Sequence, residues 1–241
     1  MENILRNHIE EYVAEQKLDI TDEQIGMLQK YASMLVEWNQ KINLTAIKDP
    51  SEIAIKHFID SLTCLKLMEG KAKPRVIDIG TGAGFPGLVI KIMRMDAEVY
   101  LVDSVGKKLD FVQAVIEELK LKDVYTQKAR AEELARMKEY RETFDFAVTR
   151  GVSSMPVVLE YCTPLLSVGG ICLAMKGPKV IEEIESAKKA ANILGAEITA
   201  IESYNLPRDM GIRKIVVAQK KKNTSSIYPR NTGMPEKKPL S

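Results

Sequence analysis

Metal and redox chemistry have little to work with in this chain: its 241 residues include two histidines, His8 and His57, and three cysteines, Cys64, Cys162 and Cys172. The cysteines lie far apart with no metal-ligand spacing, and an odd count argues against a disulfide framework. No metal site is expected, and the cysteines read as small core residues. Apolar runs are short. None approaches the roughly 20 residues that span a bilayer, and the charged opening MENILRNHIEEYVAEQ is no signal peptide. These absences point to the cytoplasm and to no membrane partner. Aromatic residues make up 6% of the chain and form no evident platform for stacking bases. Net charge is also small, at +2, which hides an asymmetry. Between Lys220 and Ser241 stand Lys220, Lys221, Lys222, Arg230, Lys237 and Lys238 against Glu236 alone, so the body is mildly acidic and the end basic. That pattern suits a polyanionic partner met at one place.

What is present is a soluble α/β composition, 45% hydrophobic and 28% charged. Residues 1–72 read as a helical subdomain. Ile4, Leu5, Ile9, Tyr12 and Val13 form one apolar stripe, with His8 expected on the exposed side. A second helix starts at the capping-box pattern Thr21-x-x-Gln24 and carries Ile25, Leu28, Tyr31, Ala32, Leu35 and Trp38 at spacings of three and four. A third begins at Asp49-Pro50, proline at the first helical position, and runs past Phe58, Leu62 and Leu65. Residues 73–220 then alternate β-rich runs with helical ones. Strands are expected at 75–79, 98–103, 123–128, 144–149, 170–176, about 196–203 and 212–219. The alternation predicts a mostly parallel seven-stranded sheet covered on both faces. The last two strands, joined by a loop too short for a crossover helix, should pair antiparallel. Residues 221–241 read as an extended basic tail.

The strongest local signal is VIDIGTGAGFPG, Val76 to Gly87. A buried strand ends at Asp78, Gly80, Gly82 and Gly84 follow at alternate positions, and a helix opens near Phe85. Glycines let a ligand approach the backbone closely, and the helix start offers free N–H groups. Asp103 ends the next strand, where a carboxylate accepts the ribose hydroxyls of an adenosine. The segment also fits the dinucleotide fingerprint, Gly82-x-Gly84-x-x-Gly87, and charge separates the readings. Asp78 would repel a pyrophosphate but attract the sulfonium and ammonium of S-adenosylmethionine. A Rossmann-like, class I S-adenosylmethionine-dependent methyltransferase is the preferred reading, with Asp78 and Gly82 in the cofactor site. A nicotinamide dehydrogenase and a non-catalytic nucleotide-binding regulator stand as alternatives.

With WNQKINLTAI (38–47), KHFIDSL (56–62), VIDIGTGAGFPGL (76–88), LVDSVGKKLDFV (101–112), Ala131-Glu132, VTRGV (148–152) and AMKG (174–177) in this order, the chain resembles the ribosomal RNA small-subunit methyltransferase G family, also called glucose-inhibited division protein B. Its end, YPRNTGMPEKKPL, is similar to that of Gram-positive members. The resemblance implies methyl transfer from S-adenosylmethionine to N7 of a guanine in 16S ribosomal RNA, near the decoding region. It implies cofactor contacts at Gly80, Phe85, Ala131, Glu132 and Arg150. Phe85 has a second reading as a core residue, and Glu132 as an acid stabilising its helix dipole.

The fourth strand ends Thr149-Arg150-Gly151, without the Asn/Asp-Pro-Pro-Tyr signature of exocyclic-amine methylation, and no Pro-Cys pair serves attack on a pyrimidine. Guanine N7 carries a free lone pair, so its methylation needs no general base. Arg150 and Lys176 are the catalytic candidates, as cations able to read guanine. His57 is read as a helix-packing residue. Lys107, Lys108 and the tail are expected to meet phosphates of the RNA or small ribosomal subunit, unless the tail folds back on the body. A monomer is expected, and a methyltransferase of the same fold acting on a protein or small molecule is the remaining alternative. The loop predicts that calorimetry shows binding of S-adenosylmethionine and none of NAD, and that Asp103→Ala weakens it by about 1.5–3 kcal/mol.

Overall fold

A computed structural model describes residues 1–240. Helices α1 (Glu2–Gln16) and α2 (Asp22–Trp38) are followed by a continuous helical segment, 50–62. That segment is an α-turn, α3 (Pro50–Ile53), a π-helical stretch Ala54–Ile59 and a second α-turn, α4 (Asp60–Leu62). The sheet then alternates with helices: β1 (Arg75–Ile79), α5 (Gly87–Met93), β2 (Glu98–Asp103), α6 (Gly106–Glu118), β3 (Val124–Lys128), α7 (Ala131–Leu134), β4 (Phe144–Arg150), α8 (Met155–Cys162), β5 (Leu166–Lys176), α9 (Ile184–Leu194), β6 (Ala196–Asn205), β7 (Ile212–Lys220) and α10 (Met234–Lys237). The seven strands lie in the order β3-β2-β1-β4-β5-β7-β6. All neighbours pair parallel except β7, which is antiparallel to both β5 and β6. The expected seven-stranded, mostly parallel sheet is therefore present. No helix among the described residues is long and apolar enough to cross a membrane.

Period-two alternation along the strands builds two cores. Val76, Leu173, Ile215 and Val217 join α1, α2, the segment 50–62, α5 and α6 on one face. Ile77, Cys172, Ala174, Val216 and Ala218 join α8 and α9 on the other. The N-terminal helices thus share a core with the sheet. Their capping box is formed as the sequence indicates, Thr21 Oγ1 accepting from Gln24 N at 3.2 Å and Gln24 Oε1 from Thr21 N at 2.9 Å. Gln24 then goes further: its Nε2 donates to the Ile92 carbonyl at 2.9 Å, satisfying a C-terminal acceptor of α5. The capping residue docks one layer onto the next.

Three details depart from the sequence reading. Ile4 is exposed, while His8, expected outside, is 3% exposed; α1 turns its apolar stripe by one residue so that Leu5, His8, Ile9, Tyr12 and Val13 face inward. The C-terminal segment does not extend into solvent. Lys220 is fully buried, its Nζ donating to Glu142 at 2.7 Å and to the Thr163 carbonyl at 3.1 Å. Arg141 donates to the carbonyls of Thr224 and Tyr228 at 2.8 and 2.9 Å. Glu160, fully buried in α8, accepts from Arg230 through the backbone N–H at 2.8 Å, Nε at 2.9 Å and an outer guanidinium nitrogen at 2.6 Å. Buried charges in α8 and β7 need partners, and the folded-back segment and the 142 turn supply them. Ser241 lies outside the described residues.

Removing Arg230 leaves the Glu160 carboxylate buried and unpaired. Arg230→Ala should destabilise the fold by about 3–5 kcal/mol in urea unfolding, and Glu160→Met in the same chain should recover most of the loss.

Candidate functional site

The turn after β1 is held from beneath. Asp78 is fully buried, and its Oδ2 accepts from Thr81 Oγ1 at 2.7 Å and from the Gly87 N–H at 2.8 Å. One carboxylate oxygen therefore staples the strand end to the first turn of α5. The fit leaves no space for a side chain at Gly87, where a Cβ would stand 2.3 Å from Leu101 Cδ2 and 2.7 Å from Asp78 Oδ2. Burial pushes the Asp78 carboxyl up to about 6, against the two hydrogen bonds that favour its charge. Its Oδ1 has no partner. Asp78 thus shapes the turn through Oδ2.

Above the turn is a cavity of about 180 Å³ at the carboxyl ends of β1, β2 and β3, lined by Gly80, Asp103, Ala131, Glu132, Tyr161 and Glu236, among others. Asp103 ends β2 and reaches both sides of the opening. Its Oδ2 accepts from Gly82 N at 2.9 Å and its Oδ1 from Val105 N at 2.8 Å. Each carboxylate oxygen has a second lone pair, so Asp103 retains acceptor capacity toward the cavity. Gly82 has φ +59°, and a Cβ there would meet nothing closer than the Gly80 carbonyl oxygen, 4.0 Å away. A free carboxylate at a strand end, a bare backbone beside it and the apolar Ala131 suit an adenosine. Glu132, also buried, accepts the Gly233 N–H at 2.8 Å, so it fastens the C-terminal segment as well as opening α7.

Val152 separates this cavity from a second, of about 510 Å³, lined by Lys56, His57, Asp60, Arg150, Lys176, Lys179, Glu183 and Arg213, among others. Arg150, from the end of β4, projects into its wall with its side chain 18% exposed. Its Nη1 donates to the Lys56 carbonyl at 3.1 Å, the His57 carbonyl at 3.3 Å and Asp60 Oδ2 at 3.2 Å. Its other outer nitrogen donates to His57 Nδ1 at 3.2 Å. An arginine only donates, so His57 Nδ1 accepts and the ring proton sits on Nε2, 2.8 Å from Thr45 Oγ1. Burial, then the Arg150 charge, push the His57 imidazole down to about 3. Phe85 is buried between Tyr31 and His57, stacked on both, with Arg150 over its ring at 5.1 Å. It lines neither cavity, which is its core reading. Lys176 Nζ donates to the Ser153 carbonyl and faces Glu183 at 3.5 Å.

Gly80, Asp103, Ala131 and Glu132 are thus brought together at one cavity, and Arg150 and Lys176 at the other. His57, read from sequence as a packing residue, stacks on Phe85 and also links Thr45 to Arg150. Sequence reasoning missed Asp60, 2% exposed, which pairs with Arg150 and faces Arg213 Nε at 3.6 Å. It also missed Arg213, Lys179 and Glu236. Asp60 had a signal in the KHFIDSL run. The others come from separate places in the chain and meet only on folding.

The sequence profile of the rRNA small subunit methyltransferase G family matches residues 24–213. Proteins named ribosomal RNA small subunit methyltransferase G are similar along nearly their whole lengths. That of Desulfitobacterium hafniense is 51% identical over 223 residues, 92% of either chain. That of Desulforamulus reducens is 43% identical over 239 residues, 99% of this chain and 100% of its own. Among solved structures, a SAM dependent methyltransferase from Aquifex aeolicus superposes with a TM-score of 0.52 at 20% identity, over 71% of this chain and 94% of its own. TYW2 of M. jannaschii in complex with AdoMet gives 0.50 at 18%, over 66% and 74%. At these identities the likeness is one of fold.

The Arg150 clasp has a pH signature. A histidine held neutral in the fold contributes stability above its ordinary value of 6.5, and that contribution is lost as pH falls toward 3. Titration followed by NMR should find the His57 ring neutral from pH 8 to about 4, with stability declining below 6.5. A ring that protonates near 6.5 would show that the clasp is not formed.

Proposed function

The chain belongs to the rRNA small subunit methyltransferase G family, S-adenosylmethionine-dependent enzymes acting on small-subunit rRNA, and we propose that the atom methylated is N7 of a guanine in 16S rRNA. Bound S-adenosylmethionine supplies an electrophilic methyl group. The residues that would hold it are Gly80, Gly82, Asp103, Ala131 and Glu132 at the smaller cavity, with Asp103 accepting the ribose hydroxyls. Arg150 lines the larger cavity and lies over the Phe85 ring.

The observation carrying the N7 reading is the larger cavity, which is cationic yet has no free base. His57 has both nitrogens engaged, Asp60 is flanked by two arginines, and Glu183 faces Lys176 and accepts the Met155 N–H. Asp60 Oδ1 has no hydrogen-bond partner, but it is buried and 3.6 Å from Arg213 Nε, which disfavours its use as a base. An N7 lone pair needs none, so catalysis rests on alignment and exclusion of water. N7 must also stay free for the incoming methyl group, so recognition falls to a donor at O6. Arg150 and Lys176, the candidates for that donor, spend their hydrogens on backbone carbonyls and acidic partners in the cavity wall. Arg213, tethered to Asp60 only through Nε at 3.6 Å, and exposed Lys179, which makes no ion pair among the described residues, are better disposed to receive the nucleotide.

Mass mapping of 16S rRNA from a strain lacking the protein should show the loss of one N7-methylguanine, restored by the wild-type chain. Unchanged rRNA, or loss of a different modified base, would reject the reading. Arg213→Gln should lower kcat/KM for rRNA by at least about tenfold, near 1.4 kcal/mol, with cofactor affinity unchanged.

A further inference from the structure

The C-terminal segment ends up at the smaller cavity. Glu236, in α10, is part of the cavity lining beside Tyr161 and Glu132. The segment is placed there by two contacts that leave it little freedom. Arg230 is locked onto buried Glu160, and the Gly233 N–H onto buried Glu132. Pro235, between Gly233 and Glu236, is buried. In sequence this stretch is far from the turn after β1. The structure joins them through Glu132, which opens α7 at one end of the cavity and holds the segment with the same carboxylate.

We propose that the segment is a wall of the cofactor site and that Glu236 accepts the exocyclic amine of the adenine. The chemistry follows by elimination. An adenosine offers two kinds of donor, the ribose hydroxyls and the N6 amine. Asp103, at the end of β2 with a lone pair to spare on each oxygen, takes the hydroxyls. Glu132, the third carboxylate of the lining, is engaged by the Gly233 N–H; Glu236 stands across the cavity on the α8 side, and the amine is the donor left to it. A carboxylate at that place accepts an amine and repels a carbonyl, so the site distinguishes adenine from hypoxanthine. The Arg230 and Gly233 contacts fix the position of the segment that carries it.

The inference rests on assigning the smaller cavity to the cofactor, and three variants of the full chain separate the two ideas. The probes are S-adenosylhomocysteine and its deaminated analogue S-inosylhomocysteine, which carries a carbonyl in place of the amine, with binding measured by calorimetry. The wild type should prefer the adenosyl compound by about tenfold or more. Glu236→Ala should lose about tenfold in affinity for it, and Glu236→Gln, able to donate as well as accept, should bring the two affinities close together. Glu236 is exposed, so neither change should move the melting temperature. Asp103→Ala should weaken both compounds alike. If Asp103→Ala weakens binding while both Glu236 variants keep wild-type affinities and preference, the inference is overturned and the cavity assignment stands. If Asp103→Ala leaves binding unchanged, the assignment itself fails, and the inference with it.

Discussion

The cation at the end of β4 has to be accommodated inside the protein, and much of the molecule is arranged around that requirement. Arg150 cannot lose its charge, and taking it out of water costs several kcal/mol unless hydrogen bonds and an opposite charge replace the solvent. The sheet does not supply those partners. They come from the helical segment 50–62, through the Lys56 and His57 carbonyls, the His57 ring and the Asp60 carboxylate. The π-helical stretch Ala54–Ile59 holds three of these groups, and such irregular turns recur where a helix must present unusual geometry. The N-terminal helices are consequently part of the site. They share the core of one sheet face, form one wall of the larger cavity, and set the tautomer of the one histidine near the chemistry.

Charge is divided between the two cavities in a way that suits opposite ligands. The smaller is lined by Asp103, Glu132 and Glu236 with Arg130; the larger by Lys56, Arg150, Lys176, Lys179 and Arg213 with Asp60 and Glu183. Under the proposed assignment a sulfonium cofactor and a polyanionic RNA would be drawn to adjoining but different places, with Val152 lining both. The buried ion pairs matter here for geometry more than for stability. A buried pair gains little over apolar packing, yet losing one partner is costly, so Arg150–Asp60 and Arg230–Glu160 fix positions that simple packing would leave adjustable. The fold-back of the basic end belongs to the same logic. Lys220 and Arg230 neutralise internal acids, which leaves Lys221, Lys222, Lys237 and Lys238 at the surface.

What the sequence determined by itself is everything that depends on local pattern. Alternation set the strands and the two faces of the sheet, the Thr21–Gln24 box set the start of α2, and the alternate glycines with Asp103 twenty-one residues from Gly82 marked the cofactor turn. Each of these is encoded within one element and the next, and the chain has no other way to satisfy its backbone there. The tertiary structure alone decided which charged side chains are free and which are spent. Asp78 gives one carboxylate oxygen to Thr81 and Gly87; Arg150 is held by the helical segment; the basic end reads as a solvated tail but is drawn in by Glu142 and Glu160. A charge has no periodicity, and its role is set by what lies within a few ångströms of it in space. Those neighbours come from up to 101 residues away, a distance over which sequence spacing carries no information.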